Sequence, residues 1–115
     1  MGCLILADLY LCPREILEDE QEIRGLILEM LCNFGEESQQ ILINSDVGDG
    51  FMGLFKLNGV RIGFQTFPRH EYLALEVYAF SAQDPGLYAE YLVEKVRSQV
   101  VSVREFSRAE HLEIK

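Results

Sequence analysis

The dipeptide Asn58-Gly59 separates two runs, 51-FMGLFKL-57 and 60-VRIGFQTF-67. Asn-Gly best satisfies the positive φ angles of a type I′ turn, the two-residue connection whose twist matches that of paired strands. The spacing therefore predicts an antiparallel hairpin and commits the chain to a sheet. Pro68 to Glu71 break the pattern, and 72-YLALEVYAF-80 then sets Leu73, Leu75, Val77 and Ala79 against Tyr72, Ala74, Glu76, Tyr78 and Phe80. Period two marks a third consecutive strand.

The remaining elements follow from similar signals. Residues 2-GCLILADLYLC-12 read as a strand ended by Pro13, which cannot donate to a ladder. From Pro13 the pattern turns helical, with Ile23, Leu26, Ile27, Met30, Leu31 and Phe34 on one face and Gly35 as the stop. The segment 39-QQILINS-45 reads as a short strand and 46-DVGDG-50 as a turn. Asp84 is placed as an N-cap with Pro85 at the first helical position, and Leu87, Tyr88, Tyr91, Leu92, Lys95 and Val96 trace the face of a second helix. The final strand is 100-VVSVREF-106.

The order β-α-β-β-β-β-α-β has no βαβ rhythm. It implies an α+β fold, a two-layer α/β sandwich in which two helices cover one face of a mostly antiparallel sheet. At 115 residues the chain fits one domain, 1–115, which should bury roughly 65% of its unfolded surface.

Composition narrows function by exclusion. A net charge of −9 opposes binding to nucleic acid, whose affinity comes largely from Lys and Arg. The longest apolar run, 3-CLILA-7, is far short of the ~20 residues that span a bilayer. With no basic, apolar leader pattern the expected location is cytoplasmic. Cys3, Cys12 and Cys32 show no CxxC spacing and the only histidines are His70 and His111, so buried thiols are expected rather than a metal site. Asp46 and Asp49 lack the bidentate Glu of an EF-hand, and a turn explains them.

The residues carry a family resemblance. The strand 2-GCLILADLYLC-12 resembles the N-terminal strand of the small bacterial and archaeal S-adenosylmethionine decarboxylases, which reads Gly-x-His-Leu-Leu-Ala-Asp-Leu-Tyr-Gly-Cys. Then 43-INS-45, Thr66, Pro68, Tyr72, Ala74, Glu76, Val77 and Tyr78 fall where that family has Leu-Asn-Ser and His-Thr-Trp-Pro-Glu-Tyr-Gly-Tyr-Ala-Ala-Val-Asp-Ile-Phe. The resemblance covers nearly the whole chain, and its most specific piece is Ala7-Asp8-Leu9-Tyr10.

It implies an enzyme of polyamine (spermidine) biosynthesis that makes its own cofactor. A proenzyme cleaves at a Glu-Ser bond, and the serine becomes a pyruvoyl group that forms a Schiff base with the substrate and draws off the electrons of decarboxylation. Counted without gaps from 50-GFMG-53, the Glu-Ser pair falls on Gly59 and Val60. The family's histidine falls on Gln65, its cysteine on Phe80 and a further serine on Met52. Valine has no nucleophile, and Gln65 cannot shuttle a proton near neutral pH. The segment 46-DVGD-49 is shorter than its family counterpart, which holds an adenine-stacking aromatic, and Arg69 stands at a ribose-binding carboxylate. The only Glu-Ser pair in the chain, Glu37-Ser38, lies before the second strand.

The expectation is an uncleaved, non-decarboxylating relative with no pyruvoyl group and no other cofactor, acting as a binding or regulatory partner. Asp8, Thr66, Arg69, His70 and Glu76 are the candidate pocket residues. Hydrogen-bonded strand carboxylates compete as a reading of Asp8 and Glu76, and a solvated loop as a reading of Arg69 and His70. The contrasting hypothesis is an enzyme, either the decarboxylase itself or another small-molecule activity in the same pocket. Tyr72, Tyr78, Phe80, Phe64 and Phe55 are read as aromatics of a sheet face that needs cover, so a homodimer is expected, with an active paralogue as the rival partner.

Overall fold

The computed structural model describes residues 2–35, 40–57, 59–80 and 84–108. Six strands form one sheet, β1 (Gly2–Tyr10), β2 (Gln40–Val47), β3 (Gly50–Lys56), β4 (Val60–Phe67), β5 (Tyr72–Ala79) and β6 (Val100–Arg108), in the order β2-β3-β4-β5-β1-β6. Every pairing is antiparallel. β2 to β5 form a meander, and β1 is inserted between β5 and β6.

The hairpin forms where the Asn-Gly dipeptide predicts it. Asn58 lies outside the described residues; Gly59 takes φ +86°, a conformation only glycine adopts without strain. Leu57 N–H bonds to the Val60 carbonyl at 2.8 Å across the turn. The 46–50 turn is tighter than expected. β2 continues through Asp46 to Val47 with an irregularity after Asn44, which leaves only Gly48 and Asp49 as the connection.

The helix expected from Pro13 is two helices, α1 (Arg14–Leu17) and α2 (Glu20–Asn33). The break is a capping event: the Asp19 carboxylate accepts the Glu22 N–H at 3.1 Å and starts α2 anew. Phe34 is the C-cap and Gly35 follows at φ +70°. α3 (Pro85–Lys95) starts as predicted, with the Asp84 carboxylate accepting the Gly86 N–H at 2.9 Å. Leu87, assigned to its buried face, is exposed, and Ala89 is buried instead.

The helices lie on one face of the sheet, and the core fills the space between. Ile5, Ala7 and Leu9 of β1, Val60, Ile62 and Phe64 of β4, and Leu73, Leu75 and Val77 of β5 point toward Ile23, Ile27 and Met30 of α2 and Ala89 and Leu92 of α3. Phe55 and Phe64 belong to this core, stacked with ring centroids 6.2 Å apart, and not to the aromatic set of the other face. Gly53 makes room for them: a side chain there would meet the Phe64 ring at 2.5 Å.

Candidate functional site

The face without helices carries the polar chemistry. Its ladders align side chains in rows across the strands. One row runs Leu54, Gly63, Glu76, Leu6 and Arg104, and the next runs Met52, Gln65, Ala74, Asp8 and Ser102. Gly63 and Ala74 are the smallest residues and lie diagonally at the centre, so the face sinks into a depression of about 460 Å³. Asp8, Glu76, Arg104 and Gln65 supply its polar rim, and Met52, Leu54 and Leu6 its apolar walls. Two carboxylates, a guanidinium and an amide around a small apolar floor suit a small ligand that carries charge of both signs.

One end is closed by an aromatic ladder across β4, β5 and β1. The Phe67 and Tyr72 rings stack at 5.3 Å and 24°, and Tyr72 and Tyr10 at 5.3 Å and 21°. The Tyr72 hydroxyl donates to the Asp8 carboxylate, which fixes the direction of that carboxylate beside the depression. Burial, and then the adjoining Asp8, push the Tyr72 phenol up from 10.0 to about 12. A raised folded-state value favours the protonated form, so this contribution to stability is complete up to pH 10 and fades as the pH climbs toward 12. Denaturant midpoints of the wild type and Tyr72→Phe should therefore differ by a constant amount below pH 10 and converge above it. Parallel curves to pH 12 would contradict this placement of the hydroxyl.

The five candidate pocket residues do not form one cluster. Asp8 and Glu76 line the depression. Thr66 faces the helices and is fully buried; its hydroxyl accepts the Phe51 N–H at 3.1 Å and donates to the Phe51 carbonyl at 3.4 Å. Arg69 and His70 lie on a 3₁₀ turn (Pro68–His70) after β4. The Arg69 backbone N–H donates to Asp49 at 2.8 Å and its guanidinium approaches the same carboxylate at 3.4 Å, which pins the β2–β3 turn. That backbone N–H, ahead of the charge of Arg69, holds the Asp49 carboxyl below its usual range. Among the described residues no three His, Cys, Asp or Glu side chains gather as a metal site.

Arg104 is the site residue that sequence reasoning missed. The alternation of Val101 and Val103 with Ser102 and Arg104 gives its parity, but only the β1–β6 register sets it beside Leu6 and near Glu76. The positions that the family resemblance assigns to covalent chemistry divide similarly. Met52 and Gln65 are register partners in the depression. Val60 is fully buried on the helix side, and Phe80 is exposed beyond β5, its N–H bonded to the Gly59 carbonyl at 3.0 Å. Glu37-Ser38 and His111 lie outside the described residues. No helix among the described residues is long and apolar enough to cross a membrane.

A family model described as S-adenosylmethionine decarboxylase matches residues 4–109. The chain is similar to the S-adenosylmethionine decarboxylase proenzyme of Geobacillus sp. (strain WCH70), with 24% identity over 108 residues, 94% of this chain and 87% of that protein. It is similar to S-adenosylmethionine decarboxylase proenzyme 1 of Bacillus anthracis, with 25% identity over 100 residues, 86% of this chain and 77% of that protein. Among solved structures, the adenosylmethionine decarboxylase of Aquifex aeolicus VF5 superposes with a TM-score of 0.84 at 19% identity, covering 100% of this chain and 98% of that one.

Proposed function

The chain belongs to the S-adenosylmethionine decarboxylase family, and from that premise we propose that it is a member that does not cleave itself and acts by binding. The observation that carries this reading is Val60. It stands where the resemblance puts the processing serine, offers no hydroxyl, and is fully buried among the apolar side chains under the helices. Its carbonyl accepts the Leu57 N–H, and the Gly59 carbonyl accepts the Phe80 N–H, so both carbonyls at the turn are engaged in the hairpin and β5 end. A pyruvoyl group therefore does not fit the residues at this turn, and no step of decarboxylation is assigned to the chain.

What the retained site can do is bind. Asp8, oriented by Tyr72, and Glu76 can hold a cationic group, while Arg104 and the Gln65 amide can hold an anionic or neutral polar one. The same face exposes Leu42, Met52, Tyr10, Val100 and Phe106, too much apolar surface for a face that meets only water. A second copy packed sheet to sheet would cover it and close both depressions. An isologous contact is compatible with the charges of both signs on this face, Asp8, Glu76, Arg61 and Arg104. An intact family member could occupy the same surface, and the complex would then couple this chain to a living active site.

The intact mass under denaturing conditions tests the reading. A single species at 13.2 kDa is expected from the purified chain, and also from Val60→Ser, because Gln65 still stands where the resemblance puts the histidine that assists processing and cannot move a proton near neutral pH. Two fragments from the wild type, the C-terminal one with the mass of a pyruvoyl terminus, would overturn it.

A further inference from the structure

Two long helices leave part of this six-stranded sheet bare. Strands repeat at about 4.8 Å and packed helices at about 8–10 Å, so one helix covers about two strands. Ile23 and Ile27 of α2 lie near Phe64, Leu73 and Leu75, and α3 packs on β5 and β1. Nothing described covers β6. Val101 and Val103 pair with Leu9 and Ala7 and point into the helix layer as those residues do, yet they are 40% and 50% exposed. Between them and the Ala89–Val93 side of α3 runs a trough of about 430 Å³. It lies on the opposite face of the sheet from the depression.

Its rim is acidic. Glu90 and Glu94 stand on α3 and Glu105 on β6, and the one base of the lining, Arg97, faces Glu15 at 3.9 Å. The ion pairs of the described residues, Arg14–Glu18, Arg69–Asp49 and Arg97–Glu15, include none of those three glutamates. This charge discriminates between occupants. The long helices of a second copy bury their apolar faces in its own core and carry mostly acidic charge, Glu20, Glu22 and Glu29 against Arg24 on α2 and Glu90 and Glu94 against Lys95 on α3. Residues 109–115 bring Glu110 and Glu113 against Lys115. Both oppose the rim.

We propose that the trough docks an amphipathic helix of a different protein, with an aliphatic stripe on Val93, Val101 and Val103 and Lys or Arg on the flanks facing Glu90, Glu94 and Glu105. The floor gives affinity by burial and the rim gives orientation and encounter rate, as in other helix-in-groove interfaces. The proposal is independent of cleavage and of any ligand in the depression.

The probe is a synthetic helical peptide of about 14 residues, about 21 Å long, with leucines at i, i+3, i+4 and i+7 and lysine flanks. Titrated into the isotopically labelled full chain, it should shift the amide signals of Ala89, Val93, Val101 and Val103 and leave those of Asp8 and Glu76 in place. A peptide of identical composition with the leucines scrambled off the stripe should bind at least tenfold more weakly. Val103→Lys, at a half-exposed position, should weaken the first peptide at least tenfold with an unchanged melting profile. Equal binding of the scrambled peptide, shifts confined to the open face, or no binding at millimolar peptide would overturn the proposal. So would a tenfold gain on deleting 109–115, which would assign the trough to the chain itself. A fall in sedimentation mass on Val103→Lys would assign it to a second copy, with the same consequence.

Discussion

Phe55→Ala should lower the unfolding free energy by about 3–5 kcal/mol, the range for deleting a buried aromatic whose cavity closes incompletely. Phe55 is fully buried on β3, its ring stacks on Phe64, and Phe64 in turn meets Phe51 edge to face at 5.9 Å. The neighbouring sheet face cannot collapse into the space, because β3 and β4 are tied together by their ladder. For a domain of this size, stable by about 5–15 kcal/mol in all, the loss approaches a third or more of the total. Urea denaturation would show a large fall in midpoint with little change in slope. Met52→Ala, on the same strand but the open face and 41% exposed, should cost less than about 1 kcal/mol in the monomer. A larger cost at Met52 than at Phe55 would mean that the strand faces the other way, and the depression would go with it.

Ala74→Lys should weaken self-association at least 100-fold, about 2.7 kcal/mol. Ala74 lies at the centre of the open face, between Gln65 and Asp8 in its row. In the proposed sheet-to-sheet dimer, a lysine there would fill the depression and bury an ammonium under the partner sheet. Sedimentation velocity of the wild type and variant at equal concentration decides the matter. A dimer that ignores the lysine must use another surface, and a wild type that sediments as a monomer removes the homodimer altogether. Compared at a concentration where both are monomers, the variant should melt near the wild type, since Ala74 contributes nothing to the core under the helices.

Much of this is legible in the sequence, and the failures share a cause. The Asn-Gly hairpin, the alternation of β5 and the Asp84-Pro85 helix start are local signals, and each element forms where its signal lies. Alternation says which residues share a face; it does not say which face is covered. Grouping Phe55 and Phe64 with Tyr72 and Tyr78 fails for that reason, since the two pairs lie on opposite faces of the sheet. The break before α2 has a sign in the chain, Asp19 three residues before Glu22, outweighed by the continuous apolar period. Thr66 and Arg104 cannot be placed locally. One is drawn to a backbone partner on β3 and the other is brought to the depression by a strand almost a hundred residues away in sequence.

The position of β1 has a consequence for how the chain reaches this structure. β2 to β5 can pair in sequence through short turns, but β1 finds its partners only among residues 73–79 and 100–108. If those local pairings form first, the first strand in the chain is flanked on both sides only when β6 arrives, and Ile5, Ala7 and Leu9 wait in water until the meander has formed. Assembly limited by such distant pairings proceeds on the millisecond-to-second scale of high-contact-order domains rather than in microseconds. During that interval the waiting apolar strand is the part of the molecule most open to capture by a chaperone or by another copy.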